Sequence, residues 1–418
     1  MIPNEIFQSD VIYIGAKFIP ISEFKSEFPD WYENWKKLNS EYTLRDYLLI
    51  PDYGYGISAT LNAIYTVDFE KVIAEYLCSF EHEKNEGGLY HPPVRMRNVM
   101  LFAPCNARCW AYFDLDTKEW SYEDIPAKFI KGEGPIIKSC VWIPIGNRMI
   151  YMPGSTTVVM SVDLKNGKIS YHDCLRTIKQ TDGTLPEFTS IIAYGDSVLL
   201  FTNTGNEVYE IDVKTMQLTN IHRIPMNCNG VFTATSIPET DWIFLLDNPQ
   251  TSRIIKWDVK TGVTEEIKDL PIRSDEKSVP SPILGFCYDY SGLYIIPQQD
   301  NCVVKINYCE NKARRIDLFS EVNLWEKKDE FYYRWGYGCS LTVFAYNGYK
   351  NTTTVCLPYD FSIAEIDFDK GTLLNRRKWK INGIENLIRQ SMMNEVDGLF
   401  MENKYFGLKE FVDDINIK

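Results

Sequence analysis

The chain has 418 residues, 57 acidic against 44 basic side chains and a formal net charge of −13. That acidity disfavours nucleic acid and anionic membrane surfaces as partners. With 45% hydrophobic and 14% aromatic residues, the chain can build a large packed core, and no apolar stretch approaches the roughly 20 residues of a membrane helix.

In chain order, the N-terminal MIPNEIFQSD lacks the basic-then-apolar pattern of a signal peptide. The segment VIYIGAKFI (11–19) reads as a strand. FPDWYENWKKLN (28–39) predicts a short helical insert, with Asp30 as its cap and Trp31, Trp35 and Leu38 at helical spacing.

From there a unit repeats. Its first mark is a short apolar run: LLIP (48–51), LFAP (101–104), IYMP (150–153), LLFT (199–202), FLLD (244–247), YIIP (294–297), VCLP (355–358) and LFME (399–402). Five of these end in proline, which suits a strand terminus because proline cannot donate to the ladder. The second mark is an acidic hinge about ten residues later: Asp68, Asp114, Asp163, Asp212, Asp258, Asn307, Asp367 and Asp413. The hinges are separated by 46, 49, 49, 46, 49, 60 and 46 residues. The first copy alone is stretched, and the insert DYGYGISAT (52–60) accounts for it.

A further strand precedes several runs, as in TSIIAYG (189–195), and a polar-alternating one follows each hinge, as in GKISYHDCL (167–175). Four strands in some 48 residues make one propeller blade, and a fixed period of this size marks a repeat fold. The expected fold is all-β: a β-propeller of seven or eight four-stranded blades forming one domain over residues 1–418. The segment 389–413 is expected to pair with 11–19 and close the ring. Each hinge acid is expected to accept backbone N–H groups at a tight turn, a structural role.

YFDLDTKEW (112–120) resembles the end of a kelch blade, with hinge acid, Thr and closing Trp. IKWDVKTG (255–262) and AEIDFDKGT (364–372) resemble blades of YVTN and quinoprotein-type propellers. The kelch Gly-Gly doublet is replaced by Pro or a polar residue. The resemblance implies the propeller fold and no single activity.

Catalytic signatures are sparse. The four histidines, His82, His91, His172 and His222, form no close pair, and neither a nucleophile elbow nor a phosphate-binding glycine loop occurs. Cys105 and Cys109 have the spacing nearest to a metal pair but no second pair beside them, so no metal and no cofactor are expected. The 11 cysteines are scattered, many inside apolar strands, which suits reduced thiols in the cytoplasm.

Function is expected where the repeat breaks. The breaks are the insert at 52–60, the segment 318–338 and the N-terminal stretch, all rich in aromatic residues. The expected binding face comprises Asp52, Tyr53, Tyr55, Arg334, Trp335 and Tyr337. Rings of this kind, with a few polar groups, suit a protein or carbohydrate partner. The expected function is a non-catalytic binding module. The alternative is a carbohydrate-active or small-molecule enzyme with acids facing each other at a central mouth, a matter of distance in space.

Overall fold

In the computed structural model the described residues run from 55 to 382, together with 11–14 and 17–20. Residues 84–88, 131–134, 179–185, 248–252, 273–282, 298–301, 318–341, 348–351, 358–361 and several briefer gaps are excepted. Among the described residues the chain is all-β, with one three-residue 3-10 turn, Ala127–Phe129. The expected helix at 28–39 and the eighth hinge, Asp413, lie outside the described residues.

Seven four-stranded sheets are described, and six are built from four consecutive strands in chain order. The sheet Phe188–Tyr194, Ser197–Thr202, Glu207–Asp212, Gln217–Arg223 is typical. Its first, second, third and fourth strands coincide with the predicted segment, apolar run, hinge strand and polar strand. This meander is the local unit of a propeller blade.

The chain divides into two compact units, residues 123–377 and residues 1–122 with 378–418. In the larger unit, successive sheets pack face to face through the alternation of strand side chains. Val198 and Leu200 join a cluster with Ile150, Met152 and Val159 of the preceding sheet. Leu199 and Phe201 face the other way, onto Ile243, Leu245, Ile255 and Trp257 of the following sheet. Phe244 and Leu246 repeat the pattern against Leu293, Ile295 and Val304. A second strand buried on both faces must be apolar throughout, which explains the runs that mark the repeat.

In the smaller unit, Ile57, Ile64 and Phe80 pack against Met100, Phe102 and Phe113. Trp120, the closing residue of its hinge, lies 4.7 Å from Phe113 and 5.0 Å from Phe80, centroid to centroid.

The hinges share one geometry. Asp114 Oδ1 accepts the amides of Asp116 and Thr117 at 2.8 and 3.0 Å, and Asp258 Oδ1 those of Lys260 and Thr261 at 2.9 and 3.2 Å. Asp163 accepts from Lys165 at 2.8 Å, Asp212 from Thr215 at 2.7 Å, Asp68 from Lys71 at 2.9 Å and Asp367 from Lys370 at 3.1 Å. Asn307 makes the same pair of contacts with its amide oxygen, to Cys309 and Glu310, at 3.2 Å each.

Four residues after the hinge the backbone turns left-handed, at Val72, Lys118, Gly167, Met216, Gly262 and Asn311, with φ between 53 and 72°. The amide of that residue donates to the hinge carbonyl: Lys118 to Asp114 at 2.9 Å, and Gly167, Met216 and Gly262 to their own hinge residues at 2.8 Å.

Two sequence expectations need correction. The run LLIP lies outside the described residues. The second-strand position of the first sheet is filled by Tyr55–Ile57, 11 residues before Asp68, as in the other copies. Two glycines in DYGYGISAT hid this strand, so part of the supposed insert belongs to the repeat. The segment 11–19 is also not one strand. It forms two antiparallel strands, Val11–Ile14 paired with Lys17–Pro20. The pairing expected for 389–413 lies outside the described residues. The C-terminal strand that completes the first sheet is Lys380–Asn382, parallel to Ile73–Cys78, with Asn382 donating to Glu75 at 2.9 Å.

One buried charge ties two sheets together. Lys256 is only 3% exposed. Its Nζ donates to Glu265 Oε2 at 2.7 Å, the Tyr308 carbonyl at 2.6 Å and Asn311 Oδ1 at 2.8 Å, and it lies 4.5 Å from the Trp242 ring centroid. Three acceptors satisfy all three ammonium donors. Lys256→Met should therefore lower stability by about 1–3 kcal/mol, read from denaturant unfolding, because it strands acceptors of the neighbouring hinge.

Gly262 gives a separate test. A β-carbon there meets nothing within 4 Å. Any loss in Gly262→Ala is thus conformational, expected at about 1–2 kcal/mol for a left-handed residue. An unchanged unfolding midpoint would show that the turn relaxes freely.

Candidate functional site

Of the predicted binding residues, Tyr55 is described. It is half-buried, begins the strand Tyr55–Ile57 and packs against the core cluster of the smaller unit. Asp52, Tyr53, Arg334, Trp335 and Tyr337 lie outside the described residues.

The four histidines are dispersed and individually engaged. His172 Nε2 lies 2.8 Å from Ser161 Oγ, and burial followed by the Arg148 charge lowers its pKa. His222 Nε2 lies 2.8 Å from Glu210 Oε2 and edge-on to Trp257. His82 meets Tyr122 edge-on, and His91 is buried.

The edge that carries the second-to-third-strand loops shows two polar clusters. In the smaller unit, Tyr90 Oη donates to Glu83 Oε1 at 2.7 Å and lies 3.3 Å from Cys109 Sγ, which contacts Glu83 at 3.5 Å. Burial, then the Cys109 contact, raises the Tyr90 phenol far above its ordinary range. In the larger unit the fully buried Asp247 is held by Arg253, whose Nε stands at 2.5 Å, and by the Cys228 thiol at 3.3 Å. Burial pushes that thiol up to about 12. Among the described residues no three His, Cys, Asp or Glu side chains converge as a metal site.

The loop tip at Asn203 is also structural. Its amide nitrogen Nδ2 donates to Glu187 Oε2 at 3.0 Å, and a β-carbon at Gly230 would stand 1.7 Å from its carbonyl oxygen. Only glycine permits that approach.

The opposite edge, with the first-to-second-strand turns and the hinges, holds a cleft of ≈ 370 Å³ within the larger unit. Tyr194, Ile237, Ile243, Thr240, Asp241 and Lys260 line it. Tyr194 and Ser197 are joined by two residues, whereas five separate Ser236 from Trp242. The long turn is pinned by Thr240, whose amide and hydroxyl both reach the Ile237 carbonyl, at 3.2 and 3.0 Å. At the rim Lys260 Nζ donates to Asp241 Oδ1 at 2.6 Å, and that contact raises the Lys260 pKa. Burial raises the Tyr194 phenol; Lys260 opposes the shift, and Glu210, Asp241 and Asp258 reinforce it. Reading the sequence by its inserts alone missed this cleft. The signal was present as SIPETDW (236–242), a long turn where YGDS (194–197) is short.

No protein-family model matches the chain, and no curated protein sequence does. Among solved structures, AztD from Citrobacter koseri is similar over 78% of this chain and 84% of its own, with 13% identity and a TM-score of 0.43. Hsv2 from Kluyveromyces lactis aligns over 79% of this chain and 97% of its own, with 10% identity and a TM-score of 0.45. The dihydro-heme d1 dehydrogenase NirN aligns over 77% and 62%, with 9% identity and a TM-score of 0.47. Among the described residues no helix is long and apolar enough to cross a membrane.

The hinge carboxylates give a pH test. Their pKa values are lowered: at Asp68 by the Lys71 side chain, at Asp114 by the Thr117 amide and at Asp212 by that of Thr215. At Asp258 burial acts upward and the Thr261 and Lys260 hydrogen bonds outweigh it. A carboxylate whose folded pKa is depressed stabilises above its unfolded pKa, about 3.9, and loses that contribution as pH falls through the folded value. The double variant Asp114→Asn, Asp212→Asn should therefore lose less stability than wild type between about pH 5 and about pH 2. Parallel stability curves would refute this role.

Proposed function

We propose that this chain is a single-domain β-propeller over residues 1–418 that works without catalysis, as a cytoplasmic module binding a protein or glycan partner. The binding surface is the aromatic-rich loop face with Asp52, Tyr53, Tyr55, Arg334, Trp335 and Tyr337. The kelch- and YVTN-like hinges and the seven described four-stranded sheets, six of them meanders of consecutive strands, support the propeller reading. The observation that carries the non-catalytic reading is how the described ionisable groups are used. Hinge carboxylates cap turns, Asp247 neutralises Arg253, and the histidines each serve a separate contact. The seven described cysteines are free thiols, which suits a reducing compartment.

Recognition is the chemistry left to loops rich in Tyr and Trp, which bury large rings at small entropic cost, with Arg334 as a planar donor fork. The test is capture of partners from a glycan array and by crosslinking with mass spectrometry. Tyr53→Ala with Trp335→Ala should abolish capture while the circular dichroism spectrum stays β. Retained capture by the folded double variant would overturn the proposal. Tyr55→Ala should act differently, lowering stability by about 1–3 kcal/mol, because its ring packs on the core.

A further inference from the structure

Asparagine followed by glycine occurs at 166, 229, 347 and 382, and the pairs Asn166–Gly167 and Asn229–Gly230 are described in full. Such a pair is chemically weak, because glycine has no β-carbon to keep its backbone nitrogen from the asparagine side chain. Gly230 is buried against the Asn203 carbonyl. Asn166 is exposed and stands in a hinge turn, three residues after Asp163. The equivalent residues of the other described hinges are Lys71, Thr117, Thr215, Thr261, Glu310 and Lys370, so this turn alone carries an asparagine there. The turn engages each atom that the reaction needs. Gly167 N donates to the Asp163 carbonyl at 2.8 Å, with φ at 72°. Asn166 Nδ2 donates to Asp163 Oδ2 at 3.4 Å, and Asn166 Oδ1 accepts the Lys168 amide at 2.9 Å.

We propose that Asn166 is a modification site, converted by water to aspartate and isoaspartate, and that Asp163 sets the rate by holding the turn closed. The Gly167 nitrogen, giving up its proton, forms a bond to Asn166 Cγ; the Cγ–Nδ2 bond breaks and ammonia leaves. Water then opens the cyclic imide at either carbonyl, which yields aspartate or isoaspartate. Attack requires the turn to release the Gly167 amide and the Asn166 side chain, so the reaction runs through local opening. Both products undo the cap. Isoaspartate lengthens the backbone by a methylene inside the turn. Aspartate sets a second carboxylate beside Asp163, where an amide donor stood. The third-to-fourth-strand reversal of this one sheet is thereby loosened, independently of any binding partner.

The test incubates the full chain at neutral pH beside the peptide acetyl-VDLKNGKIS-amide, which spans 162–170. Peptide mapping that separates aspartate from isoaspartate follows residue 166 in both. Wild type should react there at least about tenfold more slowly than the peptide, and Asp163→Ala at least about fivefold faster than wild type. Asp163→Asn keeps an oxygen acceptor, as Asn307 does in its own hinge, and should stay near the wild-type rate. Asp258→Ala removes a cap from a different sheet and should leave residue 166 unaffected. An Asn166 that stays intact in Asp163→Ala while the peptide reacts would overturn the site. Equal rates in wild type and Asp163→Ala, or equal acceleration by Asp163→Ala and Asp258→Ala, would overturn the control by Asp163. If Asp163→Ala does not fold, wild type and peptide still decide: equal rates there overturn the proposal.

Discussion

The capped hinge turn is the interaction on which the rest of the structure depends. A four-stranded meander must reverse direction tightly between its third and fourth strands, and the turn leaves several amides without ladder partners. One carboxylate or amide oxygen at the hinge takes up one or two of them, as at Asp114 and Asn307. A left-handed residue four positions on completes the reversal and returns its amide to the hinge carbonyl. Gly167 and Gly262 adopt that conformation freely, whereas Val72, Lys118, Met216 and Asn311 are held in it against their β-carbons. The hinge is also tied sideways. The amides after Asp114, Asp163 and Asp212 donate to Asn98, Asn147 and Asp196 of the preceding turn, at 2.7, 2.8 and 3.0 Å. Both turns at one end of a sheet are thereby fixed to each other.

With turns fixed, register follows, and register decides which side chains face which neighbour. In the strand Ser197–Thr202 alternate residues pack on opposite neighbouring sheets, so no face is left for water. Burial of this kind is worth about 1.5–3 kcal/mol for each large apolar side chain. It also makes every polar group inside expensive unless paired. Lys256 and Asp247 meet that condition in different ways: the lysine through three acceptors drawn from two sheets, the aspartate through an arginine and a thiol. The fourth strand of the first sheet has a different solution to the same problem of unsatisfied groups. Its free edge is covered by Lys380–Asn382, brought from the far end of the sequence.

The same economy bears on function. Among the described residues, the hinge carboxylates hold turns and His172 and His222 contact neighbouring strands of their sheets. The proposed binding face lies where the repeat is interrupted. One interruption is the aromatic loop segments. Another is the long turn after Ser236, beside which Tyr194 and the Asp241–Lys260 ion pair line a cleft.

Much of this was legible in the residues. A buried second strand must be apolar along its whole length, and a tight turn needs an oxygen acceptor. These local requirements repeat with the blade, so LLFT with Asp212 or YIIP with Asn307 announced strands that the structure places within a residue or two. The strand Tyr55–Ile57 escaped notice because its central glycine removes both the apolar signal and the β-propensity on which such readings rest. Its place is set by pairing with Ile64–Asp68, an interaction between strands rather than a property of either. The parallel partner Lys380–Asn382 and the acceptors of Lys256 were beyond sequence reasoning for a related reason: their contacts join residues far apart in the chain. The sequence by itself determined the repeat, its strands and its hinge caps, since each depends on neighbours a few residues away. Only the tertiary structure decided which strands complete a sheet and where a cleft opens, because those depend on distances between segments that no local pattern encodes.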